Sequence, residues 1–135
     1  MNVVNPDALA IITVWQEAQG EPYTGKVAVA EVIRNRMLRN YSSDGTVAGT
    51  VARPWQFSGW NGDDESRKYL IRALKINDND PVVQECIRAW NQSRDSNFVK
   101  GAVLYCNLDA VDRRPNWADP SKLIIKIGHH SFFGD

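Results

Sequence analysis

The sequence predicts an α+β fold: a mainly helical body with a small antiparallel β-sheet near the C-terminus. Apolar residues recur at helical spacing from Ala8 to Trp90, and capping residues stand where those runs begin. After Lys100 the pattern changes to short β-type runs between polar turns. A chain of 135 residues, 43% of them hydrophobic, is long enough to bury a core and short enough for one unit. Residues 1–135 are therefore expected to form a single domain.

Asn5-Pro6-Asp7 opens the first helix: Asn5 can cap, Pro6 suits the first helical position, and Asp7 places a negative charge in the first turn. Ala8, Ile11, Ile12 and Trp15 make its apolar stripe. Gly20 is expected to stop it in a left-handed conformation, which leaves Glu17 in the last turn. A second helix, GKVAVAEVIRNRMLRN, follows Pro22-Tyr23-Thr24, with Val27, Ala30, Ile33 or Arg34, and Met37 on one face, and should pair with the first as a hairpin. Thr46 caps a short helix that must end by Pro54, and WQFSGWNGDD is an aromatic loop. Asp63 and Asp64 begin a third long helix through Leu70 and Leu74; after the turn INDND, Asp80-Pro81 begins a fourth through Val82, Cys86, Ile87 and Trp90. AVLYC, LIIKI and SFF are short strands. The polar stretch NLDAVDRRPNWADPSK and the Gly128-His129-His130 turn separate them.

Charge narrows the function. Sixteen Lys and Arg balance sixteen Asp and Glu, so no global positive field draws the protein onto a nucleic acid or an anionic membrane. Nucleic acid is not an expected partner. No run approaches the ~18 apolar residues of a membrane span, so membrane insertion is not expected either. MNVVNPDALAIITVW lacks a basic n-region and a small-residue cleavage site, so no signal peptide is read and the chain is expected to be made in the cytoplasm. Two cysteines, Cys86 and Cys106, are too few for a disulfide framework.

Among residues able to do chemistry, Glu17 stands out. A carboxylate in a last helical turn faces the negative end of the helix dipole, and neighbours such as Trp15 can desolvate it; both effects raise its pKa toward that of a general acid. A solvated Glu at a helix end is the alternative. Glu21 is the obvious second carboxylate, but a carboxylate before Pro22 also simply complements the next helix N-terminus. Glu31, beside Arg34 and Asn35, reads as a surface or ion-pair residue. Sugars and bases stack on aromatic faces, and Trp55, Phe57, Trp60, Tyr105, Trp117, Phe132 and Phe133 offer such faces, although half or more should be core. Gln56, Ser58, Asn61, Asn107 and His130 supply a cleft's orienting hydrogen bonds. Cys106 ahead of His129 and His130 has the chain order of an NlpC-type cysteine peptidase, but it ends a strand-like run and does not open a helix, which favours a structural thiol. Adjacent His side chains tend to diverge, and no HExxH or CxxC spacing exists, so no metal site and no cofactor are expected.

The block Trp15-Gln16-Glu17-Ala18-Gln19-Gly20-Glu21-Pro22, followed by Gly25-Lys26-Val27-Ala28-Val29-Ala30 and Ile33-Arg34-Asn35-Arg36, resembles the "GEARGEP, then GQVAVAAVILNRV" block of SleB/CwlJ-type cell wall hydrolases. Thr46-Val47-Ala48 is similar to that family's "TIA/TVA" segment, and Pro54-Trp55-Gln56-Phe57-Ser58 to its "P-x-QFS" loop. Gly101-Ala102 with Tyr105 and Asn107 resembles "GATHYYN", Pro115-Asn116-Trp117-Ala118 resembles "P-x-WA", and Ile127 to Phe133 resembles "IGNHxFY". The match is collinear over nearly the whole chain and weakest from Asp63 to Lys100. It departs at Leu104, where the family usually has His.

The resemblance implies a fold similar to lysozymes and lytic transglycosylases. It implies cleavage of peptidoglycan between N-acetylmuramic acid and N-acetylglucosamine, with Glu17 as the catalytic acid. Gln56, Phe57, Ser58, Tyr105, Asn107, Trp117 and His130 become candidate substrate-binding residues, and Glu21 a supporting one. Lacking a compelling second carboxylate, the chain is expected to act as a monomeric lytic transglycosylase. A muramidase using the same Glu17, a peptidase using Cys106, and a glycan-binding module without chemistry are the competing readings. A bare unit of this length is expected to be phage-like, reaching the wall through a holin or an injection apparatus.

Overall fold

The computed structural model describes residues 6–53, 57 and 79–135. The expected third long helix, and Trp55, Gln56, Ser58, Trp60 and Asn61 of the aromatic loop, lie outside them.

Helix α1 runs Pro6–Ala18 with Asp7 in its first turn, as the sequence predicts. Its end differs. Gly20 is not among the positive-φ glycines, and the chain leaves the helix through a tight bond from Glu21 N–H to the Ala18 carbonyl, 2.9 Å. An i→i+3 bond closes the last turn, so no left-handed residue is needed.

Helix α2, Tyr23–Arg39, is the centre of the molecule. It packs against α1, the short helix α3 (Val47–Val51), helix α4 (Pro81–Gln92) and strand β2 (Leu123–Ile127). Every residue from Gly25 to Ile33 is buried, so the expected one-sided stripe is replaced by a helix enclosed all round. Two charged residues are enclosed with it. Lys26 donates to the Glu21 carbonyl and pairs with Glu85 Oε2 at 3.2 Å. Glu31, read from sequence as a surface or ion-pair residue, is 2% exposed; its carboxylate accepts from Ser96 Oγ at 2.5 Å and from the Val99 N–H at 3.0 Å. A buried carboxylate is tolerated when donors satisfy its oxygens, and this one gathers the 96–99 turn onto the helix.

The C-terminal half of α2 holds the approach to the sheet. Arg34 donates to the Trp90 carbonyl (2.7 Å), Asn35 to that of Ala102 (3.0 Å), Arg36 to that of Val103 (2.8 Å) and Arg39 to that of Gly101 (3.3 Å). The run Arg34-Asn35-Arg36 thus serves as a row of donors for backbone that has no ladder partner of its own. Caps behave as expected: Thr46 Oγ1 accepts from Gly49 N–H at 3.0 Å, and Asp80 Oδ1 accepts from Val82 N–H at 2.8 Å with Pro81 behind it.

The sheet is antiparallel with order β1-β3-β2, where β1 is Leu104–Cys106 and β3 is His130–Phe133. Tyr105 faces Phe132 across the ladder and Cys106 faces Ser131. His130 belongs to β3, so the turn before it is Gly128-His129. Side-chain alternation gives the sheet two faces. One carries Tyr105, His130 and Phe132, whose rings touch, and it packs onto the helical core. The other carries Leu104, Cys106, Ser131 and Phe133, with Trp117 set edge-on to Phe133 at 5.7 Å between centroids. Among the described residues no helix is long and apolar enough to cross a membrane.

Candidate active site

Three ionisable side chains meet where the end of α1, the middle of the molecule and β1 converge. Glu17 keeps some exposed surface, yet burial raises its carboxyl from 4.5 to about 7, against the opposing charge of Arg36. Arg36 is 5% exposed; its guanidinium lies 5.0 Å from the Phe57 ring centroid and 5.9 Å from that of Tyr41, and burial lowers its pKa. Tyr105 is pushed well above 10 by burial first and then by Glu17. The site therefore holds one carboxyl poised between its two forms near neutral pH, one fixed positive charge, and one phenol that stays protonated. One residue before Glu17, the Gln16 carboxamide is buried with both polar atoms unpaired among the described residues.

Glu21 has a different setting. Its side chain is 7% exposed, Oε1 accepts the His129 N–H at 3.0 Å, and Oε2 meets His129 Nδ1 at 3.0 Å. His130 Nδ1 lies 3.7 Å from Oε1. The two adjacent imidazoles, which sequence reasoning expected to diverge, converge on one carboxylate. Gly128 makes this possible: its φ is +59°, and a Cβ there would sit 2.5 Å from Glu21 Oε2.

Of the expected substrate-binding residues, the structure brings Tyr105 and His130 together, with ring centroids 4.9 Å apart, and couples Tyr105 to Glu17. Phe57 is a correction. It is fully buried, with 0% exposure, and packs in the core against Arg36, so its ring has no face for a sugar. Trp117 lies with Phe133 on the sheet face opposite Tyr105 and His130, apart from the Glu17 group. Asn107 closes a turn just past β1, its Oδ1 accepting the Asp109 N–H at 3.0 Å. Gln56 and Ser58 lie outside the described residues. Cys106 faces the opposite side of the sheet from His130, and burial raises its pKa, the reverse of what a nucleophilic thiol needs. Arg36 appears in the sequence only as part of the family block and was not a candidate site residue; the structure places it beside Glu17 and Tyr105.

A helical body, a three-stranded sheet and a desolvated carboxyl at the end of the first helix frame this site. The family model described as Cell Wall Hydrolase matches residues 20–133, and the chain belongs to that family. Glu21 falls inside the matched span and Glu17 three residues before it. Two spore cortex-lytic enzymes are similar over 88% of this chain: that of Bacillus cereus at 32% identity and that of Bacillus subtilis (strain 168) at 31%, each over 119 residues. The chain spans 40% and 34% of their respective lengths. Among solved structures, the catalytic domain of the germination-specific lytic transglycosylase SleB from Bacillus anthracis superimposes with a TM-score of 0.68 at 28% identity, covering 98% of each chain. The catalytic domain of Bacillus cereus SleB gives 0.62 at 26% identity, covering 99% of this chain and 94% of that one. The helical body with a C-terminal antiparallel sheet is thus the SleB catalytic fold.

Proposed function

We propose that the chain cleaves the peptidoglycan glycan strand between N-acetylmuramic acid and N-acetylglucosamine as a lytic transglycosylase, with Glu17 as its single acid and base. The observation that carries this reading is the Glu17 carboxyl, desolvated to a pKa of about 7 beside Arg36 and Tyr105. Neutral Glu17 donates its proton to the glycosidic oxygen, the bond from that oxygen to the muramyl C1 breaks, and positive charge develops on the sugar ring. Glu17, now a carboxylate, takes the proton of the muramyl C6 hydroxyl as its oxygen bonds to C1, which closes an anhydro ring and restores the neutral acid. Arg36 steadies the anion that exists between the two transfers.

The engagement of Glu21 supports the one-carboxylate form of the reaction. Its oxygens are held by the His129 N–H and ring, so it is not placed to activate water across the bond as an inverting or retaining partner. We further propose that residues 1–135 act as one monomeric catalytic unit on the cell wall. Glu17→Gln should abolish release of soluble fragments from purified peptidoglycan while circular dichroism stays native. Mass spectrometry of the wild-type digest should show anhydro-muramyl ends; reducing muramyl ends would replace the transglycosylase with a muramidase, and free stem peptides would sink both.

A further inference from the structure

The Glu21 cluster does more than close a turn. His130 Nδ1 is buried with no hydrogen-bond partner among the described residues and lies 3.7 Å from Glu21 Oε1, beyond a hydrogen bond but well inside electrostatic reach. The ring is not free to swing away: it packs against Tyr105 at 4.9 Å and stands edge-on to Phe132 at 6.3 Å. Glu21 is equally confined, by His129 on both oxygens and by the Gly128 backbone. A lone pair on Nδ1 would face a carboxylate, whereas a proton there faces it favourably.

We infer that Glu21 is a positioning residue that holds the His130 imidazole with Nδ1–H turned to its carboxylate, so that Nε2 is presented as a hydrogen-bond acceptor to a sugar hydroxyl or acetamido N–H of the bound glycan. The inference rests on the glycosidase reading for the identity of the donor. In the neutral ring one nitrogen holds the proton and the other the lone pair, so fixing Nδ1 fixes the role of Nε2. The groups facing His130 are Glu21 beyond α1, His129 in the turn and the Tyr105 ring on β1; its ladder neighbour on β2 is Ile127. Burial lowers the pKa of the imidazole, which Glu21 partly opposes, so the ring remains neutral at pH 7.

The test uses the intact chain labelled with 15N-histidine, the two rings being distinguished with His129→Asn. His130 should show a protonated Nδ1 and a bare Nε2, and the Nε2 resonance should move when an N-acetylglucosamine oligosaccharide is added to the Glu17→Gln chain. An Nε2–H tautomer of His130 in the wild type would overturn the inference, whether or not Glu21→Gln folds. Glu21→Gln should mix the tautomers, raise KM several-fold with kcat little changed, and move the acid limb of kcat/KM to lower pH, because the imidazole loses the charge that favours its protonated form. Unchanged KM and tautomer in Glu21→Gln would count against it. A wild-type chain that releases no glycan fragments would instead sink the glycosidase reading, and with it the glycan-acceptor half of this inference.

Discussion

Two opposed influences set the Glu17 carboxyl near neutrality: burial, which is larger, and the Arg36 charge. The consequence for stability has a definite sign. With a folded pKa of about 7 against 4.5, the native chain binds more protons than the unfolded one between those values, so stability contributed at this site falls as pH rises through that window. Glu17→Gln should therefore raise Tm at pH 8, by an amount corresponding to on the order of 1–2 kcal/mol for a partly exposed group, and leave it unchanged at pH 4. Equal Tm changes at both values would refute the desolvated carboxyl. Catalysis should show the same titration: kcat/KM falls above about pH 7 as the acid is lost. In Arg36→Met that alkaline limb should move to higher pH, since the charge that favours the Glu17 anion is gone. A limb that stays in place would show that Arg36 acts only on packing.

At the scale of elements, α2 joins core to site. Its buried Glu31 receives Ser96 and the Val99 amide, and Glu31→Ala leaves the Val99 amide buried and unpaired; a loss of about 1–3 kcal/mol in denaturant unfolding is expected. Gly128→Ala should cost about 1–3 kcal/mol, because a Cβ there combines a left-handed φ with a contact against Glu21 Oε2. The starts of α1, α3 and α4 and all three strands were legible because Pro6, Thr46, Asp80-Pro81 and the short aromatic and aliphatic runs act through neighbours in sequence. The setting of α2 was not. A helix enclosed all round looks weakly patterned from inside its own sequence, so Glu31 reads as a surface or ion-pair residue and Arg36 enters only as part of the family block. The same limit hid the end of α1, where Gly20 looked like a left-handed stop while the chain used an i→i+3 bond. At the site, the raised carboxyl of Glu17 agrees with its place in a last turn, while the choice of Glu17 as acid over a solvated Glu rests on the family resemblance. Phe57 was misassigned because a ring in a loop gives no local sign of whether its faces are covered, and the convergence of His129 and His130 depends on a φ at Gly128 that spacing does not specify.

Across the whole molecule, α2 touches α1, α3, α4 and β2, so its loss removes support from each of them at once. Near-UV and far-UV circular dichroism should lose signal in one coincident transition, and separated midpoints would show that the sheet unfolds apart from the helices. With balanced charge, the rate of wall lysis should vary little between low and physiological salt, in contrast to an enzyme recruited by a basic surface. Since the proposed acid and base work of Glu17 needs no metal, EDTA should leave lysis unchanged.

The enclosed stretch Gly25–Ile33 also has a kinetic meaning. Its amides meet solvent only when the packing around them opens everywhere, whereas the Gly128-His129 turn is exposed and held by a single carboxylate. Hydrogen exchange should therefore be slowest in α2 and report the global unfolding free energy there, while faster exchange at the turn reports a smaller, local opening of the His130 side of the site. The His130 side of the site can then open and close many times within one lifetime of the folded core.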